Sequence, residues 1–235
     1  MKTVKKGFGS LILATTLSLF AGVQSLSAED YGIRAFYGDK ALDRVVVIDV
    51  DNMKSAGEVD TEGIDPYPVD QAGDLDKVYA ITRGSDSIDV IDASTLDPMG
   101  LIDLPHHPRS SEAYNAALGL QLVTGADKPM ASLIDVNTDK AVASVGLNEE
   151  FSVEDYGGSN ATGHPFWFND SMFALIDRPN HTIHLYQVEK KSGRRRTKVN
   201  VTLLDSVSTP TAVPTMRYLK VPRIEVWNHR FLNIG

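Results

Sequence analysis

The chain has no cysteine. It can therefore form no disulfide, no CxxCH haem attachment and no thiolate metal site, so its stability must come from packing. Basic residues are outnumbered by acidic ones, 23 to 31, which argues against nucleic acid as a partner. Signature motifs are missing as well. There is no GxSxG, no HExxH, no phosphate-binding Walker loop, and no GxGxxG between a strand and a helix. Nothing has the length or periodicity of a long helix. The only long apolar run is at the start.

That run is LILATTLSLFAGV, Leu11 to Val23, preceded by Lys2, Lys5 and Lys6 and followed by the small residues of SLSAED. A basic start, a short apolar stretch and small residues make a secretory signal peptide over 1–28, with cleavage expected after Ala28 or Ser27. The run is too short to cross a bilayer, which takes about 20 residues. We expect a periplasmic or secreted protein with no membrane span after cleavage. Losing three of its 23 basic residues against 31 acidic ones leaves the mature chain near −11.

What is present is a repeat. The tripeptides Val47–Asp49, Val90–Asp92 and Leu133–Asp135 (VID, VID, LID) recur every 43 residues. Each lies in a longer unit, and a fourth unit follows: IRAFYGDKALDRVVVIDVD from Ile33, VYAITRGSDSIDVIDAS from Val78, LQLVTGADKPMASLIDVN from Leu120 and MFALIDRPNHTIHLYQV from Met172. In each, two short apolar segments flank a turn of Gly, Asp, Asn, Ser or Pro, and the apolar residues alternate with period 2. These are β-hairpins. Another strand follows each VID-type turn (NMKSAGEVD, STLDPMGLIDL, NTDKAVASVGL), and a proline stands ahead of the second, third and fourth hairpins at Pro66, Pro108 and Pro165. Pro66 to Thr82 and Pro108 to Thr124 are both 16 residues. Four strands per unit, repeated at a fixed interval, predict an all-β fold of β-propeller blades. One such sheet cannot bury both faces alone, so a fixed period in sequence becomes a fixed angular step around an axis.

The pattern resembles the YVTN-type β-propeller repeats of exported bacterial proteins, most clearly over Val78 to Leu104 and more weakly over Leu120 to Leu147 and Gly163 to Val188. The resemblance implies a fold more than a function, because such propellers include binding scaffolds, surface proteins and propellers with redox or metal sites. It also implies a ring of about seven blades, whereas this sequence accounts for about 3.5 to 4.5. We expect blades over 29–208 and an atypical tail over 209–235. There STPTAV opens a further unit and the text then changes to PTMRYLKVPRIEVWNHRFLNIG. Two expectations stand side by side: a truncated or frame-shifted blade of a longer propeller, or a half-ring that closes on a second copy. Either would leave an open blade edge suited to self-association.

Candidate site residues follow from the geometry of blades. The first strand of each blade lines the axis, so the residues ahead of the opening prolines should converge. They are Asp65, His107 and His164, with Thr209 next. As ligand-binding residues of an axial channel they would receive a small ligand or a partner protein. As a metal set, with His106 as a further ligand, they would suit Zn or Cu. The competing reading gives these side chains hydrogen bonds to neighbouring backbone at the blade junctions. Other groups read as structural. His181 falls in the turn after Pro179–Asn180 and His184 on a strand, where residues i and i+3 point to opposite faces. The acidic stretches at 49–52 and 74–76 lack the calcium-loop pattern. KKSGRRRTK at 190–198 reads as a solvated hairpin turn, and Trp167 with its flanking Phe residues reads as core between blades. The four Asn-x-Ser/Thr sites, Asn160, Asn169, Asn180 and Asn200, read as turn chemistry. The functional expectation is an exported, non-enzymatic binding scaffold, with a metal-binding propeller or a redox-enzyme subunit as the alternative.

Overall fold

The computed structural model describes residues 32–150, 160–192 and 197–210. The signal-peptide region, Gly193 with the arginines of the basic turn, and all of the tail beyond Pro210 lie outside the described residues. Among the described residues there are fifteen strands: β1 (Arg34–Asp39), β2 (Arg44–Asp49), β3 (Lys54–Asp60), β4 (Pro66–Gln71), β5 (Lys77–Thr82), β6 (Ser87–Asp92), β7 (Pro98–Asp103), β8 (Pro108–Asn115), β9 (Leu120–Gly125), β10 (Met130–Asp135), β11 (Lys140–Gly146), β12 (Phe166–Asn169), β13 (Met172–Asp177), β14 (Thr182–Ser192) and β15 (Thr197–Ser208). They form four sheets in chain order, β1-β2-β3, β4-β5-β6-β7, β8-β9-β10-β11 and β12-β13-β14-β15, with every paired neighbour antiparallel. These are the blades of an incomplete β-propeller. The first sheet has three strands and the others four.

The alternation in the sequence is the reason the sheets stack. On β5, Val78 and Ala80 join Val45, Val47 and Val59 of the first sheet in one apolar cluster. The intervening Tyr79 and Ile81 join Val123 and Ile134 of the third sheet in another. On the far side of the third sheet, Leu120, Leu122 and Leu133 pack against Phe173, Leu175 and Tyr186 of the fourth. Successive side chains of one strand thus serve two different interfaces. Every residue of β5, β9 and β10 is buried, because each middle strand has a sheet on both faces. Trp167 belongs to this packing: its ring meets Phe173 edge-on at 5.4 Å, and its indole N–H donates to the Ala113 carbonyl.

The repeated aspartate has a local cause. Asp49 accepts the Asn52 N–H, Asp92 accepts the Ser94 and Thr95 N–H groups, and Asp135 accepts the Asn137 N–H. Each carboxylate satisfies the backbone of the turn to the outermost strand of its blade, as a short acidic side chain does in an Asx turn. Four residues after each aspartate the chain enters the left-handed region without glycine, at Met53, Leu96 and Asp139. The fourth sheet places its LID one turn earlier. Asp177 ends β13 and accepts the Asn180 N–H in the turn to β14.

The proline-opened strands β4 and β8 are edge strands of their sheets, and β12 starts one residue after Pro165. β4 touches β8, and β8 touches β12, so one edge of each blade converges. Each of the three strands is irregular. Register shifts occur between Pro66 and Val69 in β4, between Pro108 and Ser110 and again between Ser110 and Ala113 in β8, and between Trp167 and Asn169 in β12. An extra residue in a strand breaks the period-2 alternation and turns a side chain to a new direction.

Candidate functional site

The inner strands create two polar regions. One lies at the end of the sheets where the interblade linkers meet the β5–β6 and β9–β10 turns. The other lies along the contact of β4 with β8.

At the first, the predicted residues are held by separate partners. Asp65 has φ +57° and its N–H donates to Asp43, while its Oδ1 stands 3.1 Å from Lys40 Nζ. His107 Nε2 is 3.5 Å from Asp86 Oδ1, and its backbone N–H donates to Asp127 Oδ1 at 2.8 Å. His164 Nδ1 is 3.2 Å from Glu112 Oε1 on β8. The structure does not bring Asp65, His107 and His164 to one point. It brings His107 together with Asp86 and Asp127, whose ligand atoms lie within 4.8 Å of one another, the one such group of three among the described residues. Asp86 and Asp127 sit in turns of neighbouring blades, and sequence reasoning passed over both because they are not at the repeated position before a proline.

His106 is not with them. Its side chain is fully buried, with Nε2 2.9 Å from Ser132 Oγ and Nδ1 3.2 Å from the His107 carbonyl. A carbonyl only accepts, so Nδ1 carries the proton and Nε2 accepts from Ser132. Burial holds the imidazole pKa below its usual value, against smaller upward effects of the His107 contact, Asp127 and Asp86. His106 is a neutral hydrogen-bonding residue of a blade junction. Ser132 is the third residue of β10, and the third residue of β6, Asp89, does the corresponding work one blade earlier. Its carboxylate accepts the N–H groups of Glu62 and Gly63 in the preceding linker.

The second region is richer in charge. Arg109, the residue after Pro108, is 6% exposed, and its Nε and Nη1 have no hydrogen-bond partner. The neighbouring Ser110 is 1% exposed, and its Oγ is also unpartnered. Arg83, in the turn after β5, donates through Nε and Nη2 to the Arg109 carbonyl and stacks over Tyr67. Arg178, at the corresponding turn after β13, donates through Nη1 to the Asn160 carbonyl. Burial, and then the neighbouring charges of Arg178 and Arg83, pull the Arg109 pKa down from its usual value to about 10, while Glu112 acts the other way. Across the blade boundary, Asp70 on β4 accepts both the N–H and the O–H of Ser111 on β8, at 2.9 and 2.8 Å. Burial raises the pKa of Asp70 despite those bonds.

Sequence reasoning missed Arg83, Arg109, Arg178, Asp70 and Glu112. One signal was available. RSSE directly after a blade-opening proline puts a cation and three polar side chains where an inner strand should alternate.

No family model matches the chain, and no curated protein sequence does. Among solved structures it is similar to Kluyveromyces lactis Hsv2 (11% identity, TM-score 0.48, covering 72% of this chain and 57% of that one). It is also similar to Kuenenia stuttgartiensis hydrazine synthase (16%, 0.46, 73% and 44%) and to apo AztD from Citrobacter koseri (14%, 0.48, 73% and 43%). The chain spans about half the length of the structures it matches.

Proposed function

We propose that this protein is an exported, non-enzymatic β-propeller scaffold that receives a small ligand or a partner protein at its axial face. One observation carries the reading. The converging inner strands, which need only apolar or small residues to pack, instead bury the charged and polar side chains of Arg109, Ser110 and Ser111 and half-bury Asp70. Burying such groups is unfavourable unless something compensates it. Their arrangement suits binding more than catalysis. Asp70 is occupied by Ser111, Glu112 by His164, and Arg83 by the Arg109 carbonyl. Export rests on the signal-peptide reading of residues 1–28.

The test is a small-molecule screen by ligand-detected NMR on the purified chain, repeated with Arg109→Met and Asp70→Asn. Ligands whose signals change with wild type and not with either variant support an axial site, and recovery of the ligand unaltered after prolonged incubation supports a scaffold. Ligands bound equally by all three proteins would contradict the axial reading, and chemical turnover would contradict the non-enzymatic one.

A second reading, a propeller that holds Zn or Cu, is favoured by the Asp86–His107–Asp127 group. Two carboxylates and one imidazole give three donors, enough for an open zinc site. The metal content of the protein after dialysis against Zn or Cu tests it. One bound ion in wild type and none in His107→Ala supports the reading, and equal content removes it.

A further inference from the structure

We infer that Arg109 takes a small oxyanion, a ligand that presents two or more oxygens of a carboxylate or phosphate-type group to this guanidinium. The inference rests on the axial-scaffold reading and names the chemistry of its ligand.

Three observations carry it. First, Arg109 is a buried cation with two N–H-bearing nitrogens left over, Nε and Nη1. A buried donor without a partner is unfavourable, and more so when it is charged. Nε shares with Nη2 the side edge of the guanidinium that matches two oxygens of one acid group, and Nη1 shares with Nη2 the end edge that does the same. Second, two cations stand near it and no acid is bonded to it. Arg83 is fixed to the Arg109 backbone carbonyl, and Arg83 and Arg178 both disfavour the Arg109 charge. The acids nearby are already engaged: Glu112 faces His164, Asp70 is held by Ser111, and Asp65 faces Lys40. None of these carboxylates makes an ion pair with Arg109. Third, the register shift between Pro108 and Ser110 falls on Arg109 itself. The irregularity takes Arg109 out of the pairing with β9, the usual device by which a strand re-aims one side chain.

An oxyanion on either edge would supply an acceptor that Nε or Nη1 lacks and would offset the repulsion among Arg83, Arg109 and Arg178. A neutral ligand would do the first only. A divalent cation would do neither, which separates this region from the Asp86–His107–Asp127 group.

The experiment measures thermal unfolding and calorimetric binding of the purified chain with inorganic phosphate in one arm and succinate in the other. Ionic strength is held constant with chloride. Wild type should gain stability with at least one of the two at constant ionic strength, and the arm that responds identifies the acid group. Arg109→Met should weaken binding about tenfold to a hundredfold, the range expected for hydrogen bonds to a charged group. Arg109→Met should also unfold at a higher temperature than wild type when only chloride is present, because it removes an uncompensated buried charge. That gain is the opposite of what loss of a structural contact would give. Should Arg109→Met not fold, Arg109→Lys keeps the charge and loses the two-nitrogen edge, and it should still bind more weakly than wild type. No anion-specific gain in wild type, or equal binding by wild type and Arg109→Met, overturns the inference. If neutral ligands from the NMR screen nevertheless bind in an Arg109- or Asp70-dependent way, the scaffold reading survives without the oxyanion. If no ligand of any charge depends on these residues, both fail.

Discussion

Lys77 on β5 reaches across a blade boundary to Asp139, in the β10–β11 turn of the next sheet, with Nζ 2.6 Å from both carboxylate oxygens. Tyr79, two residues along the same strand, donates its hydroxyl to Asp139 Oδ1 at 2.7 Å. The next boundary repeats the device. Lys190 on β14 donates to Asp135 and to the Leu118 carbonyl of the third sheet. At the boundary of the first and second sheets, Arg34 donates to the carbonyls of Ala93 and Ser94. Each boundary therefore has a cation from one blade clamped on the outer turn of another, next to the apolar interface.

The Lys77–Asp139 pair should respond asymmetrically to substitution. The Lys77 side chain is 8% exposed and that of Asp139 is 24% exposed. Asp139→Asn strands a buried ammonium and should lower unfolding free energy by about 3 kcal/mol, the scale for breaking a buried pair from one side. Lys77→Met leaves a carboxylate that keeps Tyr79 and reaches water, so its loss should be smaller. Chemical denaturation of the two variants and of their combination measures this. Equal losses that add in the double variant would contradict the coupling.

The buried neutral His106 predicts a pH dependence. Its folded pKa lies below the unfolded value of about 6.5, so below that value the unfolded chain binds a proton that the folded chain does not. Its contribution to stability is complete above about pH 6.5 and is lost as the pH falls toward the folded pKa, at a limiting slope of about 1.4 kcal/mol per pH unit. His106→Gln should show a shallower loss than wild type between pH 7 and pH 5. Parallel curves would show that His106 is not buried neutral.

The turn after Asp49 holds Met53 at φ +49° with 81% of its surface exposed. A side chain in the left-handed region is strained by about 1–2 kcal/mol relative to glycine, and part of that returns as glycine's larger unfolded-state entropy. Met53→Gly should raise unfolding free energy by up to about 1 kcal/mol, and Met53→Ala should change it little. A destabilised Met53→Gly would mean that the turn has another geometry.

The blades were legible because their causes are local and repeated. Period-2 alternation gave the hairpins, and the aspartates at 49, 92 and 135 recur because each caps the same kind of turn. The prolines at 66 and 108 begin inner strands as expected. The site was less legible for two physical reasons. The residues ahead of the prolines lie in linkers, and a linker side chain takes the nearest partner, so Asp65 found Lys40, His107 found Asp86, and His164 found Glu112. Arg109 lies in an irregular stretch of strand, and a register shift cannot be counted from a period of 2. His106, grouped with His107 by adjacency, belongs instead to Ser132 because the chain turns between them.

The central claim is that successive sheets stand side by side with β4 and β8 in contact at a shared inner edge. The absence of cysteine makes a direct measurement simple. Asp70→Cys combined with Ser111→Cys places two thiols where the carboxylate and hydroxyl now meet, and a short bifunctional thiol reagent should join them within one chain in high yield. Asp70→Cys combined with Asp205→Cys, on the outermost strand of the fourth sheet, should not be joined by the same reagent. Joining of the first pair alone is the predicted result. Failure of the 70–111 pair in a folded protein, or joining of both pairs alike, would contradict the arrangement.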